Sequence, residues 1–389
     1  MPPALSIQRL SLSCFRNYSG LHLETGPEPV VLTGPNGAGK TNILEAISLF
    51  TAGRGLRGQP YEVMLQKDCR EPIWAVSARV HGPHGECVIG TSWAQPEGSQ
   101  ASGRQARIDG VNVRGSGAFA DHIRIIWLTP AMDRLFSGPA GDRRRFVDRM
   151  VTVLDAGHPR RAAAFEKLMR ERNRLLAAGS YDRAWVAALE EQLAETGVAI
   201  AAARLTATDA LQSHIDSLEA GGEKSPFPSA RVALAGWLEE RLRQNPAVQT
   251  EDEYRKMLHD SRHLDQAAGR MLNGPHRSDL HVVHAQKQMA ARDCSTGEQK
   301  ALLTGLVLAH AKAVKAAFEG VMPVLLLDEI SAHLDAGRRA GLFDELCALG
   351  AQAWMTGTDA IQFEALRGRA QFFVAGDGRA DQVTTTRQA

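Results

Sequence analysis

The chain lacks the features that mark secreted or membrane-bound proteins. Its five cysteines are scattered without a C-x-x-C pair, which argues against a zinc site or a disulfide framework and predicts buried or half-buried thiols. No apolar run approaches the roughly 20 residues that a membrane-spanning helix needs, and the N-terminus lacks the pattern of a secretory signal. We therefore expect a cytoplasmic protein that has no membrane partner.

Net charge and aromatic residues are also scarce. The 45 Lys and Arg residues are balanced by 44 Asp and Glu residues, so any contact with nucleic acid must come from a local basic patch. Aromatic residues make up 6% of the chain and do not interleave with its basic segment, which argues against stacking on single-stranded bases. The apolar content of 44% over 389 residues is enough for one large or two ordinary domains.

The order of patterns along the chain predicts an α/β domain interrupted by helices. Short alternating or apolar segments bounded by Gly and Pro fill the region before residue 135, and the stretch 94–103 predicts a hairpin loop. The middle has long helical periodicity, and the C-terminal part returns to alternating helices and strands. We expect a head with a mixed sheet at 1–138 and 271–389, and an inserted helical lobe at 139–270.

The segment "GPNGAGKT" has the spacing of a phosphate-binding P-loop, between an apolar strand and an amphipathic helix. Its glycines let backbone N–H groups turn toward phosphate oxygens, and the helix N-terminus adds partial positive charge. Lys40 would contact the β and γ phosphates, and the Thr41 hydroxyl would bind Mg²⁺. The candidate nucleotide-binding residues here are Gly34, Pro35, Asn36, Gly37, Ala38, Gly39, Lys40 and Thr41.

A second acidic site follows the apolar run "VLLLDE". In a parallel α/β sheet, ligands lie beyond the carboxyl ends of the strands. We expect Asp328 to hold Mg²⁺ through water, and Glu329 to orient or deprotonate an attacking water. Lys40, Asp328 and Glu329 are therefore the candidate catalytic residues, with Thr41 and Asp328 at the metal.

The segment "CSTGEQK" opens a strongly helical run with good N-cap residues. The free N–H groups of its first turn could bind a second phosphate, which makes Ser295 and Gly297 candidate binding residues. Taken alone, the segment also fits an ordinary capped helix.

The order of these motifs resembles an ATP-binding-cassette head, in which the Ser-Gly turn of one head contacts the γ-phosphate held by another. Several stretches narrow the resemblance to the RecF family over residues of about 10 to 360. They are "LSLSCFRNYSGLHLE", "GKTNILEAISLFTAGRGLRG", "LTPAMDRLFSGPAGDRRRFVDRMV", "GPHRSDL" and "STGEQKALLTGLVLAHA".

This resemblance implies a weak, DNA-stimulated ATPase that uses ATP and Mg²⁺. Arg16 and Asn17 would lie near the nucleotide. ATP would close a homodimer on double-stranded or gapped DNA or on single–double junctions, and slow hydrolysis would release it. The family acts with RecR and RecO to load RecA on single-stranded gaps, and supports replication restart and the damage response.

The chain departs from transport heads in two places. No Gln follows "IRIIWL", and "WMTGTD" has no His after its strand, which favours the DNA-repair branch. Many relatives have two aspartates where this chain has Asp328 and Glu329, so the role of Glu329 comes from the wider cassette class. The alternatives are a transporter's ATPase subunit, a chromosome-organising head with long arms, for which the insert is too short, and a P-loop kinase.

Residues 143–183 contain eleven Lys or Arg against five acids and could follow a duplex backbone. They could equally form a solvated helix face with internal ion pairs, and Arg143, Arg144 and Arg145 could brace the two lobes. The basic residues are 143, 144, 145, 149, 160, 161, 167, 170, 172, 174 and 183.

Overall fold

The computed structural model describes residues 5–95, 103–179, 181–222, 225–330 and 334–383. The hairpin loop predicted for 94–103 falls mostly on 96–102 and lies outside these residues. The strands are β1 (Ser6–Phe15), β2 (Tyr18–Glu24), β3 (Val30–Thr33), β4 (Ile73–Gly82), β5 (Gly85–Ala94), β6 (Gln105–Ile108), β7 (Val111–Val113), β8 (Ile125–Leu128), β9 (Ala230–Ala235), β10 (Asp279–His284), β11 (Met289–Ala290), β12 (Val324–Leu327), β13 (Ala353–Thr356), β14 (Gln371–Gly376) and β15 (Arg379–Gln382). The helices are α1 (Lys40–Ser48), α2 (Ala140–Leu154), α3 (His158–Ala177), α4 (Arg183–Ala220), α5 (Trp237–Gln244), α6 (Ala247–Asp260), α7 (Arg262–Ala268), α8 (Thr296–Ala317) and α9 (Ala336–Leu349).

The chain divides into two compact units. Unit 1 comprises Met1–Asp133, Glu223–Pro228 and Ser295–Ala389, and unit 2 comprises Arg134–Gly222 and Ser229–Cys294. Residues 271–294, which the sequence assigned to the head, therefore fall in unit 2. The physical reason is that β10 pairs along its whole length with β9, a strand inside the helical region. The predicted lobe boundaries stay a prediction.

Unit 1 contains two six-stranded sheets. The first has the order β2-β1-β4-β5-β6-β7 and is antiparallel throughout. The second has the order β15-β14-β3-β13-β12-β8 and is parallel except for the edge strand β15. Burial alternates along β4, whereas every residue of β3, β12 and β13 is buried, as expected for strands covered on both faces. This mixed architecture agrees with the predicted α/β class.

One apolar core joins the two sheets of unit 1. It contains Trp74 and Trp93 from the antiparallel sheet, Trp354 from the parallel sheet, and Ile47 from α1. Arg104 donates hydrogen bonds to the carbonyl oxygens of Leu49 and Thr51, in the turn that directly follows α1. The helix that follows the P-loop is therefore held along its apolar face and at its end.

Unit 2 combines the helices α2–α7 with a three-stranded sheet in the order β11-β10-β9. Its longest element, α4, has 38 residues, which is about 57 Å of helix. Buried residues recur along α4, and those near its middle share an apolar core with Phe165 of α3 and Tyr254 of α6. No helix within the described ranges is both long and apolar enough to cross a bilayer.

A buried ionic cluster ties four helices of unit 2 together. Arg172 of α3 has no exposed surface and donates to Glu190 of α4, to Asp265 of α7 and to the carbonyl oxygen of Leu258. Arg262 completes the cluster by binding both carboxylate oxygens of Glu190. The interpretation of Arg172 as a DNA contact is therefore wrong, since all three nitrogens of its guanidinium bind inside the unit.

The cysteines differ from the predicted set of separate thiols. Cys14 and Cys69 lie together as a disulfide pair with their Cα atoms 5.8 Å apart, whereas Cys87, Cys294 and Cys347 do not belong to a disulfide. The pair spans 55 positions of sequence, so spacing alone could not reveal it. It depends on the packing of a loop against the end of β1.

Candidate nucleotide site

The phosphate loop connects β3 to α1 in unit 1, as the motif predicts. Its glycines Gly34, Gly37 and Gly39 all have positive φ angles, of 136°, 83° and 100°. A Cβ atom at Gly34 would collide with the carbonyl oxygen of Ala375, and one at Gly39 would collide with Asn17 and Tyr18. Glycine is therefore required at both positions by conformation and by space. Pro35, Asn36 and Gly37 form the exposed outer turn, while Ala38 is buried.

Lys40 lies folded over this loop at the first position of α1. Its ammonium group donates to the carbonyl oxygens of Gly34, at 2.6 Å, and Pro35, at 2.8 Å. The side chain is buried, which lowers the pKa of Lys40, while the negative charges of Glu329 and Asp328 act in the opposite direction. The site therefore concentrates one positive charge between backbone oxygens and two carboxylates.

The carboxyl ends of two neighbouring parallel strands meet beside Thr41. Asp328 follows β12, and its Oδ1 atom accepts hydrogen bonds of 2.8 Å from the hydroxyls of Thr41 and Thr356. Thr356 ends β13, is fully buried, and accepts the backbone N–H of Glu329 at 2.8 Å. One threonine hydroxyl thus contacts both the carboxylate of Asp328 and the backbone of Glu329.

Sequence reasoning overlooked Thr356 as a site residue. The segment "WMTGTD" carries the signal, in addition to lacking the histidine of transport heads. Parallel pairing of β12 with β13 aligns Leu327 with Met355, so the residues that follow them also meet. Two adjacent parallel strands that end in Asp and Thr form the sequence pattern from which Thr356 could have been predicted as a site residue.

Glu329 has an unusual backbone. Its φ angle is 50°, in the left-handed region that non-glycine residues rarely adopt. Its side chain is exposed, and its own N–H is held by Thr356. Strained residues that the surrounding structure holds in place are common at functional sites. The buried Asp328 and the exposed Glu329 therefore have different surroundings although they are adjacent in sequence.

Asn17 lies beside the phosphate loop and Arg16 lies beside α1, while their place near the nucleotide stays a prediction. Asn17 donates to the carbonyl oxygen of Ala38 and accepts from the side chain of Asn42. Arg16 binds both carboxylate oxygens of Glu45, which is fully buried in α1. No motif in the sequence singled out Glu45, a charged residue that lies among the buried apolar residues of α1.

Ser295 begins α8 with a complete capping box. Its hydroxyl accepts the N–H of Glu298, and the Glu298 carboxylate accepts the N–H of Ser295. Ser295, Thr296 and Gly297 are exposed, and a Cβ atom at Gly297 would meet open space. Within the described residues, no hydrogen bond or ion pair joins Ser295 or Gly297 to the phosphate loop. The first turn of α8 is therefore exposed to solvent.

Lys300, on the next turn of α8, is held by a residue that the sequence did not single out. Its ammonium donates to Asp133 at 2.8 Å, and both residues belong to unit 1. This bond joins two of the stretches that carry the resemblance, "LTPAMD" and "STGEQK".

The oxygen atoms at Thr41 and Asp328 suit a magnesium ion that is bound together with phosphates. Mg²⁺ in such sites takes one or two protein oxygen ligands and completes its shell with phosphate and water. A hydroxyl and a carboxylate that already touch provide that donor set. Over the residues that the structure describes, no cluster of three or more His, Cys, Asp or Glu could hold a metal without such a ligand.

Comparison with known proteins places the chain in a family. A model of the RecF/RecN/SMC N-terminal domain matches residues 6–372. The DNA replication and repair protein RecF of Mesorhizobium japonicum is 51% identical over 378 residues, covering 97% of this chain and 98% of the relative. The RecF protein of Agrobacterium fabrum is also 51% identical, covering 97% of this chain and 99% of the relative.

Solved structures agree in fold. The recombination mediator protein RecF-ATPrS of the RecFOR pathway superposes with a TM-score of 0.84 at 22% identity, covering 98% of this chain and 99% of that one. The Smc head domain from Pyrococcus furiosus superposes with a TM-score of 0.53 at 15% identity, covering 97% and 96%.

The fold and the phosphate-loop site define an ABC-type ATPase head of the kind found in SMC proteins. Within that class, the family model and the identity of about one half over nearly the whole chain are decisive. The chain belongs to the RecF family.

Proposed function

We propose that this protein is an ATP-dependent DNA-binding protein of recombinational repair, in which ATP closes a homodimer on DNA and slow hydrolysis releases it. The observation that carries the proposal is the meeting of Lys40, Thr41 and Asp328 at one edge of the parallel sheet. The names of the relatives, DNA replication and repair protein RecF, supply the biological setting, and a RecF-ATP structure supports the nucleotide.

ATP binding uses the phosphate loop, Gly34–Thr41. Backbone N–H groups and Lys40 bind the phosphates, and Arg16 and Asn17 lie near the nucleotide. Thr41 and Asp328 hold Mg²⁺, which neutralises negative charge on the phosphates when it is bound. Support comes from the carbonyl contacts of Lys40, because phosphate oxygens can replace those backbone acceptors.

Hydrolysis uses Glu329 to orient or deprotonate a water molecule. Its exposed carboxylate and strained backbone support this role. In Glu329→Gln, we expect ATP binding to persist, turnover to fall, and a closed dimer to accumulate on DNA. Phosphate release and ATP affinity are measured together, with Glu319→Gln as a control for loss of an acid in unit 1. Turnover at the parental rate would remove Glu329 from the mechanism.

The homodimer uses the turn Ser295–Gly297 of one molecule as the second phosphate cradle of its twin. Support comes from its exposure and from the open space around Gly297. The capping box is compatible with this use, because it occupies the N–H of Glu298 and leaves the outer N–H groups of the turn to an anion.

DNA contacts one face of α3. Arg160, Lys167, Arg170 and Arg174 are exposed, and none of the four forms an ion pair with another described residue. Their spacing of 7, 3 and 4 positions places them on one helix face, which extends over about 21 Å. Such a stripe suits phosphates of a duplex backbone, with salt-dependent and sequence-tolerant binding.

Other basic residues of the segment are unsuitable as phosphate contacts. Arg143 is bidentate to Asp279 within unit 2, and Arg161 is paired with Asp155. We therefore restrict the DNA surface to α3.

The DNA surface is tested with matched double variants. Lys167→Glu combined with Arg170→Glu should lower duplex affinity at least tenfold and reduce the slope of log affinity against log salt by about 2. The control is Arg255→Glu combined with Lys256→Glu on α6, where both residues are exposed. Equal affinity of the two double variants across a salt series would place the contact elsewhere.

The protein partners follow from the family. We propose that the clamped dimer recruits RecR, with RecO and RecA acting downstream at gapped DNA. The support is the RecFOR pathway named for the structural relatives, which share the fold over nearly the whole chain.

The central experiment measures molecular mass with and without ATP, in the presence of a gapped duplex. We expect a monomer without nucleotide and a DNA-bound dimer with ATP and Mg²⁺, while Lys40→Ala should remain monomeric. A monomer under every condition that transfers phosphate to a small molecule would favour a P-loop kinase. Capture by a membrane protein would favour a transporter subunit.

A further inference from the structure

We propose that Cys14 and Cys69 form a redox-sensitive modification site, a reversible disulfide that braces the nucleotide-binding region of unit 1. Cys14 is the next-to-last residue of β1, and Cys69 lies in the loop that follows a single 3₁₀ turn at Tyr61–Met64. Their Cα atoms are 5.8 Å apart, within the range that a disulfide can bridge without moving the backbone.

The backbone places the two cysteines together. The N–H of Arg16 donates to the carbonyl oxygen of Met64 at 2.7 Å, and the N–H of Gln66 donates to the carbonyl oxygen of Cys14 at 2.9 Å. These bonds hold the loop against the end of β1 up to Gln66. Beyond that point, Cys69 is held by a 3.4 Å turn hydrogen bond to Gln66, so the disulfide is its only strong link among the described residues.

Both cysteines are accessible to a small reagent. Cys14 and Cys69 are half-buried, whereas Cys294 is buried. The loop residues Lys67, Asp68 and Arg70 beside Cys69 are exposed. An oxidant can therefore reach this pair from solvent without unfolding unit 1.

The Cys14–Cys69 disulfide affects the nucleotide-binding region because the phosphate loop lies in the segment between the two cysteines. The cysteines are 55 positions apart, and the segment between them contains the whole phosphate loop and α1. Arg16, two residues from Cys14, donates to the carbonyl oxygen of Val63 in the braced segment and binds Glu45 of α1. A disulfide that fixes the loop therefore also fixes Val63, which accepts a hydrogen bond from Arg16, the residue that binds α1 through Glu45.

The chemistry is thiol–disulfide exchange with a low-molecular-weight disulfide as the oxidant. The thiolate of one cysteine attacks a sulfur of the reagent, forms a mixed disulfide and expels one small thiolate. The thiolate of the second cysteine then attacks the protein-bound sulfur, closes the Cys14–Cys69 bond and expels the second small thiolate. The two protons lost by the cysteines are taken up by the two leaving thiolates, and excess dithiol reverses the reaction.

The test uses the full chain without nucleotide, so that its result is independent of the proposed ATPase function. Reduced protein is incubated with oxidised glutathione and digested without reductant, and the peptides are identified by mass spectrometry. We expect a Cys14–Cys69 linked peptide, slower hydrogen exchange over residues 61–71, and a rise in Tm of about 5 °C that dithiothreitol reverses.

Two serine variants and one control complete the design. Cys69→Ser and Cys14→Ser should each lose the rise in Tm, while Cys87→Ser, which removes a free half-buried thiol, should retain it. Failure to recover the linked peptide from wild-type protein would overturn the site. Recovery of that peptide with unchanged Tm and unchanged hydrogen exchange would overturn its bracing role.

Discussion

At the scale of single residues, Thr356 is the side chain whose replacement should separate catalysis from binding. Its hydroxyl donates to Asp328 and accepts the N–H of Glu329. In Thr356→Val, both bonds are lost at nearly constant volume, and we expect kcat for ATP to fall about tenfold or more while KM changes less than threefold. Thr356→Ser keeps the hydroxyl and should restore most of kcat. An equal loss in the serine variant would indicate a packing role only.

His310 provides a prediction on pH. It is buried in α8, its Nε2 atom has no hydrogen-bond partner within the described chain, and burial lowers its pKa to about 4. Because the unfolded chain binds this proton near pH 6.5, the contribution of His310 to stability is complete above that pH and is lost as the pH falls toward 4.

The measurement compares free energies of unfolding at pH 7 and pH 5. When the pH falls from 7 to 5, the free energy of unfolding of His310→Leu should decrease by about 2 kcal/mol less than that of the parent protein. The matched control is His263→Leu, an exposed histidine in unit 2. Parallel pH profiles of the parent and His310→Leu would contradict a neutral buried imidazole.

At the scale of elements, one face of α3 packs inside unit 2 and the other is exposed to solvent. Arg172 lies on its buried face and joins α3 to α4 and α7, whereas Arg174 lies on its exposed face. In Arg172→Ala, Asp265 loses its charged partner, and we expect unfolding to become easier by about 3–5 kcal/mol. Arg174→Ala should stay within about 0.5 kcal/mol of the parent. Urea denaturation measures the stability of both variants. Equal unfolding midpoints for the two would show that the buried ionic cluster does not stabilise unit 2.

Helical elements also show where prediction from sequence ends. The helical run that "CSTGEQK" was expected to open is observed at Thr296–Ala317, because its capping box is local in sequence. The basic segment at 143–183 was readable as helix, but the sequence did not show which arginines lie inside. The burial of Arg172 depends on Glu190 and Asp265, which are 18 and 93 positions away.

At the scale of the whole molecule, the proposed clamp depends on a second copy of the chain. Ser295→Arg places a bulky cation at the exposed turn, so we expect normal ATP affinity but no ATP-dependent dimer in light scattering. Ser213→Arg, at an exposed serine of α4, is the matched control. Dimerisation of Ser295→Arg at the parental ATP concentration would contradict the shared-cradle model.

The sequence by itself determined the phosphate loop, the acidic strand end and the helix start at Ser295. Each is a contiguous motif whose glycine conformations, charge and capping act within a few residues. Only the tertiary structure decided that Thr356 contacts both Asp328 and the backbone of Glu329, that Arg172 is buried, and that Cys14 meets Cys69. All three outcomes depend on contacts between segments far apart in the chain: the register of β12 and β13, the packing of helices around Arg172, and the packing of a loop against β1. Local sequence does not determine such contacts.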